Sequence, residues 1–143
     1  MKFSIKRIDK TLPLPEYQTK GSVGFDLSSR TDMKIASHTL ALVPTNLVVK
    51  VPEGYMLLVV PRSSTPKKKG LLIPHGIGVI DQDYCGEKDE VLFQVYNFTD
   101  QEVTVSRGER IAQGILVKVG VAEFEEKDTA HSDSSRGGIG STG

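Results

Sequence analysis

The stretch VLFQVYNF, residues 91–98, decides the fold class of this 143-residue chain. Side chains along a β-strand alternate between two faces, and here both faces carry large apolar residues. The faces comprise Val91, Phe93 and Val95 on one side and Leu92, Tyr96 and Phe98 on the other. We therefore expect a strand that lies between two layers of the protein.

Short runs of the same kind recur along the chain and are separated by Gly, Pro, Asn and Asp. They cover residues 2–8, 39–43, 46–51, 55–60, 71–73, 77–80, 91–98, 102–106 and 111–121. This pattern predicts an all-β protein, a jelly-roll-like β-sandwich or barrel of short strands. The length and the absence of a repeat or linker predict a single domain over 1–143. The Gly-rich end, about 130–143, has no apolar periodicity and is expected to be flexible.

Composition excludes several classes of function. The 18 acidic and 18 basic residues balance, which argues against a broad nucleic-acid-binding surface. The chain has one cysteine, which fits a reducing compartment. No apolar stretch reaches the roughly 20 residues of a membrane helix, and the N-terminus lacks a signal-peptide pattern. We expect a soluble cytoplasmic protein with no membrane partner.

Five polar segments are candidate site elements, although each also has an ordinary structural reading. Asp81 in GVIDQDYCG ends an apolar strand, as a catalytic carboxylate or a polar turn does. Arg62 in PRSS suits phosphate or is a surface charge. Asp26 in GFDL is a ligand or a turn cap. Gln113 in GERIAQ is a binding residue or solvent-facing. The tail RGGIGSTG is a phosphate-cradling loop or disordered.

Taken together, the five segments resemble the signature motifs of the homotrimeric deoxyuridine triphosphatase (dUTPase) family in order and spacing. They are GSVGFDL at 21–27, PRSS at 61–64, GVIDQDYCG at 78–86, GERIAQ at 108–113 and RGGIGSTG at 136–143. The resemblance covers essentially the whole chain. The third and fourth motifs are the most specific.

The resemblance implies a jelly-roll-like homotrimer with its active sites at the subunit interfaces and an arm donated by a neighbouring chain. It implies an enzyme that uses Mg²⁺ to hydrolyse dUTP to dUMP and pyrophosphate by attack of water on the α-phosphate. Such an activity limits uracil incorporation into DNA and supplies dUMP for dTMP synthesis.

The third motif, by this resemblance, carries the chemistry and reads the nucleoside. Asp81 is expected to be the general base that activates the attacking water. Tyr84 is expected to pack against the deoxyribose and leave no room for a 2′-hydroxyl. The hairpin at about 72–80 is expected to read uracil through its backbone. Its binding residues are His75, Gly78, Val79 and Ile80.

The other motifs are implied to bind the metal and the phosphate chain. Asp26 is expected to hold Mg²⁺ through its water shell. Arg62, Ser63, Ser64 and Gln113 are expected to bind phosphates. The arm is expected to close over the site, with binding residues Arg136, Ile139, Gly140, Ser141 and Thr142.

Three positions depart from the family pattern. Ile139 stands where many relatives carry an aromatic residue, so it covers the base without stacking. Arg136 lies closer to that position than the usual arginine does. His75 stands where several relatives have Asn. Asp83 has no assigned role, and the 67–69 lysine run is expected to be a solvated loop.

Two other functions remain alternatives. A deoxycytidine triphosphate deaminase shares this fold, but its chemistry needs a glutamate at the amino group of the base, whereas the third motif here has the hydrolase form. A catalytically weak nucleotide-binding or protein-interaction module is favoured only by Ile139. Asp81, Arg62 and Gln113 argue against it, because a binder needs no carboxylate aimed at water.

Overall fold

The computed structural model describes residues 2–130, 132, 134, 135, 137 and 138. Within these residues the chain forms eleven strands and one short helix, so the all-β prediction is confirmed. The elements are β1 Ser4–Arg7, β2 Phe25–Ser28, β3 Met33–Ile35, β4 Leu40–Pro44, β5 Leu47–Lys50, β6 Tyr55–Pro61, α1 Thr65–Lys69, β7 Leu71–Leu72, β8 Gly78–Ile80, β9 Leu92–Asn97, β10 Val103–Val105 and β11 Arg110–Lys118.

Two sheets enclose the core. One has the strand order β2-β11-β6-β8 and the other β4-β9-β7, while β1 pairs with β5 and β3 with β10. The central strand β11 approaches β2 closely at Gly114, where an added Cβ would lie 2.6 Å from the Phe25 ring. A side chain at Gly114 would therefore push the sheet away from Phe25, one of the buried core residues.

The strand β9 is covered on one face only within a single chain. Phe93 and Val95 are buried, as the alternation predicts, but Leu92 on the opposite face is 39% exposed. Leu40 and Leu42 of the neighbouring strand β4 are also exposed. The expectation of two covering layers is thus wrong for one chain, because alternation shows that a face is apolar but not what covers it.

The strand predictions were close in position but incomplete. Most predicted runs contain an observed strand, whereas β2 and β3 were not predicted. The expectation of a loop at 67–69 is wrong, since these lysines form the last turn of α1. Pro66 suits the first turn of that helix, and Gly70 ends it with a φ of 65°. In the described part of the chain no helix is long and apolar enough to cross a membrane.

A polar cluster joins the N-terminal segment to the turn before β11. Arg107 forms an ion pair with Asp9 at 2.6 Å, and Asp9 also accepts hydrogen bonds from the Thr11 backbone N–H at 2.8 Å and hydroxyl at 2.6 Å. The hydrogen bonds from Arg107 and Thr11 hold the pKa of Asp9 well below its usual range. Asp9 is therefore more acidic in the folded chain than in the unfolded one.

This lowered pKa predicts a specific loss of stability in acid. The contribution of Asp9 is present above its unfolded pKa, about 3.9, and is lost as the pH falls below that value towards the folded pKa. We expect Asp9→Asn to be less stable than the parent at pH 6, with the gap narrowing at pH 3. Urea unfolding at both pH values, at one protein concentration, measures this. The exposed Asp128 provides a control, because Asp128→Asn removes a charge without breaking this cluster. The prediction would be contradicted if Asp9→Asn were destabilised equally at both pH values.

Candidate active site

The carboxylate of Asp26 holds two arginines at the edge of the four-stranded sheet. Arg62 Nε lies 3.0 Å from Asp26 Oδ1, and Arg110 Nη1 lies 3.1 Å from Oδ2. The Asp26 side chain is only 11% exposed, whereas both arginines are more accessible. The anchored guanidinium groups retain further N–H donors, and Arg suits phosphate oxygens.

Gln113 lies beside this cluster because β11 is the neighbour of both β2 and β6. It pairs with Asp26 on one side and with Val60 on the other. Its side-chain amide donates to the Pro61 carbonyl at 3.2 Å. A Cβ on Gly24 would lie 2.9 Å from Gln113 Oε1, so the glycine in GFDL leaves room for this side chain.

A β-bulge brings Arg110 into the cluster. Arg110 pairs with Ser28 while Ala112 pairs with Leu27, so one extra residue of β11 is inserted between them. In a regular strand Arg110 and Gln113, three residues apart, would face opposite sides. The bulge changes this alternation, and Arg110 reaches the same carboxylate that Gln113 faces.

A cavity of about 230 Å³ opens beside Arg62 and Arg110. Its lining also includes Ser64, Lys68 and Lys69. The buried Thr65 donates to the Ile111 carbonyl at 3.0 Å and so fixes the start of α1 on β11. Lys69 is paired with Glu109 at 2.7 Å. The cavity is therefore predominantly cationic and can accept an anionic group.

Asp81 directly follows β8, and the chain on both sides of it is fixed. Ile80 pairs with Leu57 of β6. Gln82 donates through its side chain to the Tyr55 carbonyl at 3.1 Å, and its own carbonyl accepts from Lys50 at 3.0 Å. Asp81 itself is exposed. This arrangement presents a carboxylate to solvent from a rigid backbone.

The segment expected to form a hairpin around 72–80 is a crossing loop. β7 pairs with β9 in one sheet and β8 pairs with β6 in the other, so the two strands do not pair with each other. His75 lies at the exposed tip, next to Gly76 with a φ of 84°. Val79 is exposed, while Gly78 and Ile80 are partly buried. The hairpin expectation is wrong because the turn joins two sheets.

Tyr84 is held by its hydroxyl group. The hydroxyl donates to the Glu90 carbonyl at 3.2 Å, and the residue is 38% exposed. One part of the phenol ring is therefore free to contact another molecule.

The predicted site residues fall into two groups at opposite ends of β6. Asp81 lies beside the first residues of the strand, since Ile80 pairs with Leu57, whereas Arg62 follows its last residue, Pro61. At about 3.3 Å per residue the two ends are about 20 Å apart. One phosphate-sized group cannot touch both in the same chain.

Asp26, Arg62, Ser64 and Gln113 cluster as the motifs predict, with Ser63 exposed next to Ser64. The predicted arm residues lie outside the described residues; they are Arg136, Ile139, Gly140, Ser141 and Thr142. The sequence reasoning assigned no role to Arg110 or Gln82. Arg110 lies within the quoted fourth motif, but only the bulge reveals its direction. Gln82 carried no signal beyond its position between two carboxylates.

The sequence of the chain was compared with protein families and with known proteins. A model of the dUTPase family matches residues 10–143. The deoxyuridine 5′-triphosphate nucleotidohydrolase of Finegoldia magna is 39% identical over 143 residues, covering 97% of this chain and 98% of that protein. The corresponding enzyme of Hydrogenobaculum sp. is 38% identical over 145 residues and covers 100% and 99%.

Solved structures agree with the fold. The dUTPase of Streptococcus mutans superposes with a TM-score of 0.78 at 32% identity, covering 87% of this chain and all of that one. The Staphylococcus bacteriophage 80alpha dUTPase, solved with dUPNHPP, gives a TM-score of 0.85 at 26% identity and covers 99% and 98%. The jelly-roll-like prediction is thereby confirmed. Both the matched sequence and the matched fold span almost the whole chain, and the protein therefore belongs to the dUTPase family of hydrolases.

Proposed function

We propose that this protein hydrolyses dUTP to dUMP and pyrophosphate by attack of water on the α-phosphorus. The observation that carries the proposal is the pair of half-sites just described. One is an arginine cluster on Asp26, which suits phosphates. The other is the exposed, rigidly supported carboxylate of Asp81. Both lie within residues 10–143, which the model of the dUTPase family matches.

The phosphate chain lies in the cationic half. Arg62 and Arg110 turn their free N–H groups to the phosphate oxygens, while Asp26 keeps both guanidinium groups in place. Ser63 and Ser64 add hydroxyl donors, and Gln113 adds an amide. Preorganised donors of this kind stabilise the negative charge of a triphosphate and align its α-phosphorus with the attacking water.

The nucleoside and the water lie in the other half. Asp81 takes a proton from the attacking water, and its exposed position gives that water access. The Tyr84 ring packs against the deoxyribose and excludes a 2′-hydroxyl. The backbone of the 72–80 loop reads uracil, near His75, Gly78, Val79 and Ile80. The residues Arg136, Ile139, Gly140, Ser141 and Thr142, from the last motif, cover the bound nucleotide.

A homotrimer joins the two halves across subunit interfaces. The separation of about 20 Å within one chain is removed when the Asp81 end of one subunit meets the Arg62 end of the next. The apolar outer face at Leu40, Leu42 and Leu92 is suited to burial between copies. Beyond β11, Phe124 is 95% exposed, which suits an arm that packs on a neighbouring subunit. Light scattering measures the oligomeric state, and an active monomer would refute the trimer.

Mg²⁺ is the proposed cofactor, and Asp26 fits it as a partner through water. Both Asp26 oxygens accept from arginine, so a direct metal bond would displace one of them; each oxygen can still accept from a metal-bound water. Mg²⁺ commonly keeps several waters and binds through phosphates with few protein groups. Among the described residues no cluster of three or more His, Cys, Asp or Glu could hold a metal alone. When bound, the ion neutralises charge on the phosphates.

We expect removal of Mg²⁺ to abolish activity without weakening the fold. With EDTA, dUTP hydrolysis falls at least about 100-fold, because a metal contributes several kcal/mol of charge stabilisation, and added Mg²⁺ restores it. The melting temperature without nucleotide stays the same, since the metal enters with the triphosphate. An EDTA-dependent fall in the melting temperature would instead indicate a structural metal.

The direct test of function is pyrophosphate release from dUTP, dCTP, dTTP and UTP with Mg²⁺. Release from dUTP alone is the expected result, whereas ammonia release from dCTP would indicate the deaminase alternative. Binding without release would indicate a nucleotide-binding module. In the cell we propose a cytoplasmic role in limiting uracil incorporation into DNA and supplying dUMP for dTMP synthesis.

A further inference from the structure

We propose that Glu90 and Arg30 form a positioning pair that fixes the Tyr84 ring and thereby sets the discrimination between deoxyribose and ribose. The inference rests on the proposed function, in which Tyr84 faces the sugar. Neither residue lies in the segments that carry the family motifs. Their role follows from the contacts around the loop between Tyr84 and β9.

The side chain of Glu90 is buried and held by hydrogen bonds. It is 9% exposed, and its two oxygens each accept one hydrogen bond from Arg30 at 2.9 Å. The backbone N–H of Asn46 donates to the same carboxylate at 2.8 Å. The carboxylate also raises the pKa of the Arg30 guanidinium above its usual value. A bidentate pair of this kind, in which the glutamate is buried and the arginine is partly exposed, fixes both side chains.

The backbone carbonyl of Glu90 is the hydrogen-bond partner of Tyr84. The Glu90 carbonyl accepts the Tyr84 hydroxyl at 3.2 Å. The adjoining Val91 is bound on both sides: its N–H donates to the Leu47 carbonyl at 2.8 Å, and its carbonyl accepts from the Thr45 hydroxyl at 2.6 Å. The acceptor for Tyr84 is therefore held by its own side chain and by the next residue.

A short loop connects Tyr84 to Glu90. The Gly86 N–H donates to the Asp89 carboxylate at 2.6 Å, and the Asp89 N–H donates to the Gly86 carbonyl at 3.1 Å. The loop is thus a tight turn, and a shift at Glu90 is passed to Tyr84. The half-exposed ring has a single polar anchor among the described contacts. If that anchor moves, the ring can yield to a 2′-hydroxyl.

The test compares kcat/KM for dUTP and for UTP in the parent, four single variants and one double variant. Glu90→Gln keeps the size of the side chain but removes its charge. Arg30→Lys keeps the charge but cannot bridge both oxygens. Tyr84→Phe removes only the hydroxyl. Glu102→Gln, which breaks the exposed pair with Lys34 at 3.4 Å, is the matched control.

We expect Glu90→Gln and Arg30→Lys to lower the ratio of kcat/KM for dUTP to kcat/KM for UTP about fivefold. A change of this size corresponds to the loss of about one hydrogen bond. Tyr84→Phe lowers it to a similar extent, and Glu102→Gln leaves it unchanged. In the Glu90→Gln/Tyr84→Phe double variant the ratio falls no further than in Tyr84→Phe alone, because both changes act through one contact.

A ratio equal to the parent's in folded Arg30→Lys and Tyr84→Phe would overturn the proposal, as would additive losses in the double variant. A lower melting temperature with an unchanged ratio means that the pair is structural only. Arg30→Lys and Tyr84→Phe carry the test if Glu90→Gln does not fold. A parent protein that hydrolyses neither nucleotide would instead refute the proposed function itself, and the inference with it.

Discussion

Replacing Asp81 by Asn is expected to lower kcat for dUTP by about 1,000-fold, because a positioned general base contributes roughly 10²- to 10⁴-fold. The amide has the same shape but cannot accept the proton of the attacking water. KM stays close to the parent value, since Asp81 is not among the proposed phosphate-binding residues. The melting temperature also stays close, because the side chain is exposed. Steady-state pyrophosphate release measures both kinetic constants.

Asp83 offers a matched control two residues further along the chain. It is also exposed, so Asp83→Asn removes the same charge from the same segment. We expect that variant to retain most of its activity. Undiminished hydrolysis by Asp81→Asn would show that another group is the base, and equal losses in both variants would point to the charge of the segment rather than to proton transfer.

Two inactive variants are expected to restore activity when they assemble together. Asp81→Asn damages the half-site at the start of β6, and Arg62→Gln damages the half-site beyond its end. If each site combines these halves from two subunits, mixed trimers contain intact sites. In every mixed trimer one of the three sites receives both intact halves, so the isolated mixed trimers are expected to show about a third of the parent activity.

The experiment uses co-expressed variants with different tags, so that the mixed oligomers can be isolated. A pairing of Asp81→Asn with Tyr84→Ala serves as the control, because both changes lie in the same half-site and no mixed site is intact. Mixed oligomers of that pair should be no more active than the average of the two single variants. If the isolated Asp81→Asn/Arg62→Gln oligomers were equally inactive, the proposal of a site shared between subunits would be wrong.

The residues clustered around Asp26 were predicted from the sequence only in part. Asp26, Arg62 and Gln113 were predicted to serve one site, and they lie together because β11 pairs with both β2 and β6. Arg110 was not assigned a role, because its direction depends on a bulge and strand alternation cannot reveal an inserted residue. The four-residue strand β2 was also not predicted, since it is too short for alternation to stand out.

For the third motif, the sequence predicted the role of its residues but not the conformation of the loop that precedes Asp81. Its residues were predicted to do the chemistry, and Asp81 is indeed exposed on a fixed backbone. The loop before it was expected to be a hairpin, but pairing partners far apart in the chain place its two strands in different sheets. The support of Tyr84 by Glu90 and Arg30 was likewise outside any motif.

The sequence by itself determined the all-β class and the family, and it predicted Asp26, Arg62, Gln113 and Asp81 as site residues, because strand alternation and motif chemistry are local properties of the chain. The tertiary structure alone decided where those residues lie. The register of β6 separates Asp81 from Arg62, the bulge in β11 turns Arg110 towards Asp26, and the outer face of β9 is left uncovered in one chain. Each of these depends on pairing between distant segments, which no local pattern of residues specifies.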